Sequence, residues 1–461
     1  MSDLLEEDVV QPSFRGAISR LCLTGLGISA MLPSPAVAQK AAEAKDGFDI
    51  SGTIRARYEY LEGQPRAGLD ANDDLFSLRT TLVGEYRSGG LRLGGELYDS
   101  RAYGGEVGSA VSNNDVNAAE LVQAFVGYGW GSGKRRTSIL AGRMTMNLGS
   151  RRLIANDDYR NTSTGFTGIR ADVVRGNTSG TLLYLLPQTR LPDDFPSVLD
   201  NEWKLDRESF GTRLWGGLIA HRAASATTIE ATYLRMYERD GFRETRNRRL
   251  HTLSVRLIRD PAPATLDVEI ELIGQSGSIA ATLARGAPRL PVKASFAHAE
   301  IGYTLAGRWK PHVSVEFDRA SGDGPGRRYS RFDTLYGMRR ADLGPAGIYA
   351  ALGRTNIVAA GGRVEVTPSK RLDAFGSWRA LWTDEPVDSF STTGVRDATG
   401  TSGSYAGHQF DGRIRYWLKA AAVRLEANAV YLAKGRLLRH APNAPKTGDT
   451  IYTSLALTAN F

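Results

Sequence analysis

The chain has 461 residues, 41% of them hydrophobic and 23% charged, and carries a formal net charge of +8. No stretch of 18 consecutive apolar residues occurs, which excludes a helical membrane span. The single cysteine, Cys22, falls in a leader, so disulfide and thiolate chemistry are excluded from the remainder.

That leader contains Arg15 and Arg20, an apolar run over 21–32 and the sequence Ala36-Val37-Ala38. The pattern is that of an export signal, giving a signal peptide over 1–38 and one uniform unit over 39–461. Asp3, Glu6, Glu7 and Asp8 are unusual ahead of such a signal and fit a translation start downstream of Met1. Cleavage raises the formal charge to +10. Of the 58 basic residues 48 are arginine, the side chain that grips carboxylates and phosphates through two parallel hydrogen bonds. A GC-rich genome produces the same bias.

From Phe48 onward the predicted elements are about eighteen strands, the first three over 48–61, 75–87 and 91–101. The connections carry more information than the strands. The first is a loop rich in Gly and Asp, the second only 87–90, and the third a long loop to about Asn117. Short links recur at 131–135, 175–179, 222–226, 260–264, 307–311, 368–371 and 419–422. Long links recur at about 147–164, 188–208, 239–247, 275–294, 320–346, 384–406 and 435–449. Strict alternation predicts an all-β fold, a transmembrane antiparallel β-barrel of about 18 strands with short periplasmic turns and long extracellular loops.

Alternation within the strands agrees. Leu266, Val268, Ile270 and Leu272 are predicted to face lipid while Asp267, Glu269 and Glu271 face inward. The same split sets Val313, Val315 and Phe317 against Ser314, Glu316 and Asp318, and Ile414, Tyr416 and Leu418 against Arg413 and Arg415. Three successive carboxylates in a dry core would cost a large desolvation energy, whereas a barrel this wide holds an aqueous lumen. Tyr58, Tyr60, Tyr86, Tyr128, Trp130, Trp382, Tyr416 and Tyr431 fall near strand ends, where interfacial girdles lie. The last strand places Ile451, Thr453, Leu455, Leu457, Ala459 and Phe461 on one face, and barrel closure requires it to pair with the first strand near Ile50–Tyr60.

Enzyme signatures are weak. The histidines at 221, 251, 298, 312, 408 and 440 have no metal-type spacing, and neither GxSxG nor HExxH occurs. No catalytic residue, metal site or cofactor is therefore predicted. The pairs Asp73-Asp74, Asp157-Asp158 and Asp193-Asp194 lie in predicted loops, where plain solvation and surface calcium are both open readings. Nucleic-acid binding would use the positive charge, but exported arginines in a lumen or at a surface account for it better.

The segment Gly142-Arg143-Met144, then 148–163 (LGSRRLIANDDYRNTS), then 165–170 (GFTGIR) resembles the alginate export family of outer-membrane barrels. Asp99-Ser100-Arg101, Phe332–Tyr336, Arg396–Gly400 and Gly407–Asp411 agree in order and spacing. The resemblance implies an eighteen-stranded monomeric barrel in the bacterial outer membrane, whose electropositive lumen passes an anionic uronate polysaccharide. It carries over Arg55, Arg79, Arg101, Arg143, Arg152, Arg160 and Arg170 as lumen residues, and makes a terminal Phe461 the signal for the barrel insertion machinery. Tyr159, Met144 and Thr167 depart from the family pattern, which loosens the expectation that alginate itself is the cargo.

The arginines have two readings. They form a selectivity ladder spaced by inward Glu59, Glu85, Glu96, Asp172, Glu365 and Asp373, or they complete a salt-bridge lattice that stiffens the wall. Arg327, Arg328, Arg331, Arg339 and Arg340 form either a lid over the lumen or a solvated loop against lipopolysaccharide phosphates. A general small-solute porin of the same fold and a secreted all-β polysaccharide-active enzyme are the alternatives. A periplasmic export partner remains compatible with the channel reading.

Overall fold

In the computed structural model every long strand alternates between a face turned outward and one turned inward. The structure describes residues 46–461, apart from 157–158, 225, 242–243, 339 and the side chains of 340 and 341. The expected signal peptide over 1–38 and the pair Asp157-Asp158 lie outside the described residues.

The strands are β1 Gly47–Glu62, β2 Asn72–Ser88, β3 Leu91–Tyr103, β4 Asn117–Ser132, β5 Arg135–Thr145 and β6 Gly165–Arg175. They continue as β7 Thr178–Pro187, β8 Thr212–Arg222, β9 Thr227–Glu238, β10 Arg249–Arg259, β11 Leu266–Ala280 and β12 Arg289–Thr304. The last six are β13 His312–Ala320, β14 Ile357–Ser369, β15 Leu372–Trp382, β16 Tyr405–Lys419, β17 Val423–Lys434 and β18 Thr450–Asn460. Short helical turns α1 (Phe195–Leu199), α2 (Arg340–Leu343) and α3 (Arg436–His440) lie in the long loops.

Each strand pairs antiparallel with its sequence neighbours, and β18 pairs with β1 from Thr53↔Asn460 to Glu62↔Ile451, so the eighteen-stranded sheet closes without an edge. The seam therefore falls on the predicted pair of strands. Turns such as Gly89-Gly90 are short because both glycines adopt φ > 0 (+54° and +95°), the backbone a two-residue hairpin needs. All the short turns lie at one end and all the long loops at the other.

Two loop lengths differ from expectation. The link expected over 275–294 shrinks to 281–288, because Ile279 and Val292 extend β11 and β12 and bury against Phe296 and Phe332. The link expected over 320–346 lengthens to 321–356, since it turns into the lumen before β14 begins.

Parity holds where it was predicted. Leu266, Ile270, Leu272, Val313, Val315, Phe317, Ile414 and Leu418 are exposed on the outer face, while Asp267, Glu271, Glu316 and Asp318 are buried on the inner one. An apolar band encircling a molecule in this way suits lipid rather than water.

Candidate functional site

Two long loops fold into the lumen and meet there. The segment 146–164 leaves β5, and 321–356 leaves β13. Their backbones join through Tyr336 N–H to Leu153 O (3.0 Å), Ala155 N–H to Tyr336 O (3.0 Å) and Met338 N–H to Arg151 O (3.1 Å). Gly337 permits this approach, since a Cβ there would stand 1.9 Å from the Arg152 carbonyl oxygen.

Arg152 fixes the crossing. Its guanidinium donates to Asp342 through Nε (2.8 Å) and Nη2 (3.1 Å), and through Nη1 to Glu269 (2.5 Å) and Glu271 (2.8 Å) of the β11 wall. Arg354 adds a second grip on Asp342 and donates to the Met338 carbonyl. Burial alone would push the Asp342 carboxyl up, but Arg152 and Arg354 hold it well below the usual carboxylate range.

The far end of 146–164 lies against the β1–β3 wall. Arg55 and Arg79 donate to the Arg160 carbonyl (2.7 and 3.2 Å), and Asn161 donates to the carbonyls of Leu78, Arg101 and Asp115. Arg57 stacks on Tyr159, 4.7 Å from the ring centroid, and pairs with Glu59 at 2.9 Å. The Tyr159 hydroxyl reaches Tyr452 (2.5 Å) and Ser454 (3.1 Å) on β18. The departure at position 159 is therefore accommodated by a hydroxyl network across the barrel seam.

The seven expected lumen arginines divide into three groups. Arg55, Arg79 and Arg170 lie on inward faces of β1, β2 and β6, with Arg170 paired to Asp172 at 2.8 Å. Arg152 and Arg160 belong to the inward loop. Arg101 and Arg143 correct the expectation, because each sits on the outer face near the long-loop end. Arg101 shares its face with the exposed Leu97 and Tyr103 and pairs with Asp99. Arg143 shares its face with the exposed Ile139 and is held by Glu120 (2.6 Å) and Glu208 (3.0 Å). Sequence alternation carries that signal in both strands; a motif match carries no parity.

Of the expected lid, Arg327 and Arg328 are exposed, whereas Arg331 is tied to Asp388 at 2.6 Å and to the carbonyls of Ser389 and Ser391. Arg339 and the side chain of Arg340 lie outside the described residues. Asp342, Arg354, Glu269 and Glu271 were not expected at the crossing, and their separation in sequence leaves no local pattern to read. The acidic pairs have structural duties: Asp73 accepts from Ser109 and Ala110, Asp74 from Tyr58, and Asp194 caps α1 through Ser197 N–H at 3.1 Å.

A closed eighteen-stranded barrel with an apolar outer band, a charged lumen and loops folded into it defines an outer-membrane channel of porin type. Its sequence matches the alginate export family over residues 47–449, and the chain belongs to that family. It is a protein of the bacterial outer membrane. Comparison with curated protein sequences gave no match.

Solved Pseudomonas aeruginosa channels share the fold. OccK2 (OpdF) in complex with glucuronate is 10% identical with a TM-score of 0.56, over 90% of this chain and 98% of that one. OpdK with vanillate is 12% identical with a TM-score of 0.56, over 90% and 100%. OpdL is 10% identical with a TM-score of 0.58, over 90% and 98%.

Proposed function

We propose that the channel passes an anionic, uronate-type oligo- or polysaccharide along an arginine-bearing sector of its lumen. One observation carries this reading. Arg424 on β17, Thr458 on β18, Arg55 on β1 and Arg79 on β2 stand side by side in register, with Arg413 and Arg415 on neighbouring β16. Guanidinium groups spread over β16, β17, β1 and β2 make this sector of the wall basic, and carboxylates are the partners such groups favour. Two of them, Arg55 and Arg79, also hold the Arg160 carbonyl of the inward loop. Interleaved Asp373, which takes Arg415 at 2.9 Å, and Glu426 keep the groups oriented. Family membership supports a saccharide cargo, and OccK2, a barrel of the same fold solved in complex with glucuronate, supports a uronate. The chain acts as a passive monomeric conduit rather than an enzyme, with its short turns toward the periplasm and its long loops toward lipopolysaccharide.

Single-channel recordings with uronate oligomers and with neutral oligosaccharides of equal length test the reading. Block by the uronates alone is expected. Equal block by both, or none by either, makes the protein a general small-solute porin.

A further inference from the structure

We propose that the lumen wall carries a binding site for a divalent cation of the zinc type, built from Asp267, Glu300 and His312. These residues lie on β11, β12 and β13, and their donor atoms are all within 4.8 Å of one another. His312 Nε2 is already 3.1 and 3.0 Å from the two carboxylate oxygens of Asp267. Ligands about 2.0–2.2 Å from one tetrahedral ion stand roughly 3.4 Å apart, so a pair at 3.0–3.1 Å and a third donor within 4.8 Å need only small shifts to converge.

Two further features single out this cluster. The first is Gly302, paired with Asp267 across the strands, where a Cβ would lie 2.3 Å from His312 Nε2 and 2.4 Å from Asp267 Oδ1. Any larger residue would occupy the space in which the donors converge. The second is charge. Glu269, Glu300 and Glu316 stand directly opposite one another on β11, β12 and β13. Like charges so placed repel. Glu269 is offset by Arg152 and Arg256, and Glu316 by Arg379, but among the described residues Glu300 forms no ion pair with arginine or lysine. A divalent ion held with Asp267 and His312 supplies that missing positive charge.

The donor set indicates the ion. One imidazole with two carboxylates suits zinc and its first-row neighbours, whereas calcium and magnesium prefer oxygen ligands throughout. Three protein ligands leave a fourth position for water. The site lies on the short-turn side of the loop crossing and adjoins it through Glu269, the cross-strand neighbour of Glu300, and its existence does not depend on which solute the channel carries.

The test uses the full barrel in detergent, without a histidine tag, titrated with Zn2+ by calorimetry and with Co2+ by visible absorption. One equivalent is expected, with the intense d–d bands of four- or five-coordinate cobalt. H312Q and E300Q should each weaken binding by at least roughly a hundredfold while heat-modifiable gel mobility still reports a closed barrel. If H312Q does not fold, E300Q decides. Absence of binding overturns the proposal, and so does binding that E300Q leaves unchanged or cobalt spectra that are octahedral only.

Discussion

Arg152 and Asp342, 190 residues apart in sequence, face each other with two parallel hydrogen bonds of 2.8 and 3.1 Å between loops that arise on different sides of the barrel. The pair is almost wholly buried, and Glu269 and Glu271 share the same guanidinium. Its removal would leave Glu271 without a cationic partner, and Asp342 and Glu269 with one each, Arg354 and Arg256.

R152A is therefore expected to destabilise the crossing by about 3–5 kcal/mol, the usual cost of leaving a buried charge unpaired. Because the loops occupy the lumen, their release should raise single-channel conductance. G337A provides an independent route to the same outcome, since its methyl group would collide with the Arg152 carbonyl. Deleting 322–340 should act in the same direction. Unchanged conductance in all three would show that the crossing does not limit the current.

Charge selectivity separates the inward arginines from the outward ones. R55Q and R79Q are expected to reduce anion preference, measured as the reversal potential in a salt gradient. R101Q and R143Q, on the outer face, should leave that potential unchanged. A cation-preferring wild-type channel would refute the arginine-sector reading altogether.

The loop over 188–211 should respond to pH through Asp206. Burial, reinforced by Glu120, pushes this carboxyl from its ordinary 3.8 up to about 7. The folded loop thus keeps a proton that the unfolded chain has released, and rising pH works against it. Its stabilising contribution is complete below 3.8, falls as pH climbs toward about 7 and is flat beyond. Amide exchange across 188–211, corrected for intrinsic rates, should be faster near pH 8 than near pH 5. D206N should abolish the difference.

At the seam, Gly52 and Phe461 exchange two backbone hydrogen bonds (2.9 and 3.1 Å), and the phenyl ring lies over the glycine. A Cβ at position 52 would meet the ring at 2.5 Å. G52L is expected to dislodge Phe461 and lower the fraction of heat-modifiable, closed barrel after refolding. F461A should lose apolar contact without steric conflict and show a smaller defect.

The architecture was largely legible because lipid and lumen impose opposite demands on successive residues, as Leu266 to Leu272 show. The rhythm of short and long links added the closure of β18 on β1. What happens inside the lumen was not legible in the same way. Arg152 reads as one more cation in a polar loop until Asp342, Glu269 and Glu271 are brought to it by the fold. Arg101 and Arg143 illustrate a different limit: position within a motif placed them inward, while their alternation with Leu97 and Ile139 placed them outward. Each charge is offset there by carboxylates, Asp99 for Arg101 and Glu120 with Glu208 for Arg143.

The joined loops have a mechanical consequence. They spring from the hairpins β5–β6 and β13–β14, eight strands apart on a ring of eighteen, so together they span close to a full diameter. A wide barrel is soft toward flattening under lateral membrane pressure, and a transverse tie at mid-wall resists that deformation. Cutting the tie should therefore loosen the cross-section as a whole, broadening the distribution of open-state currents as well as raising their mean.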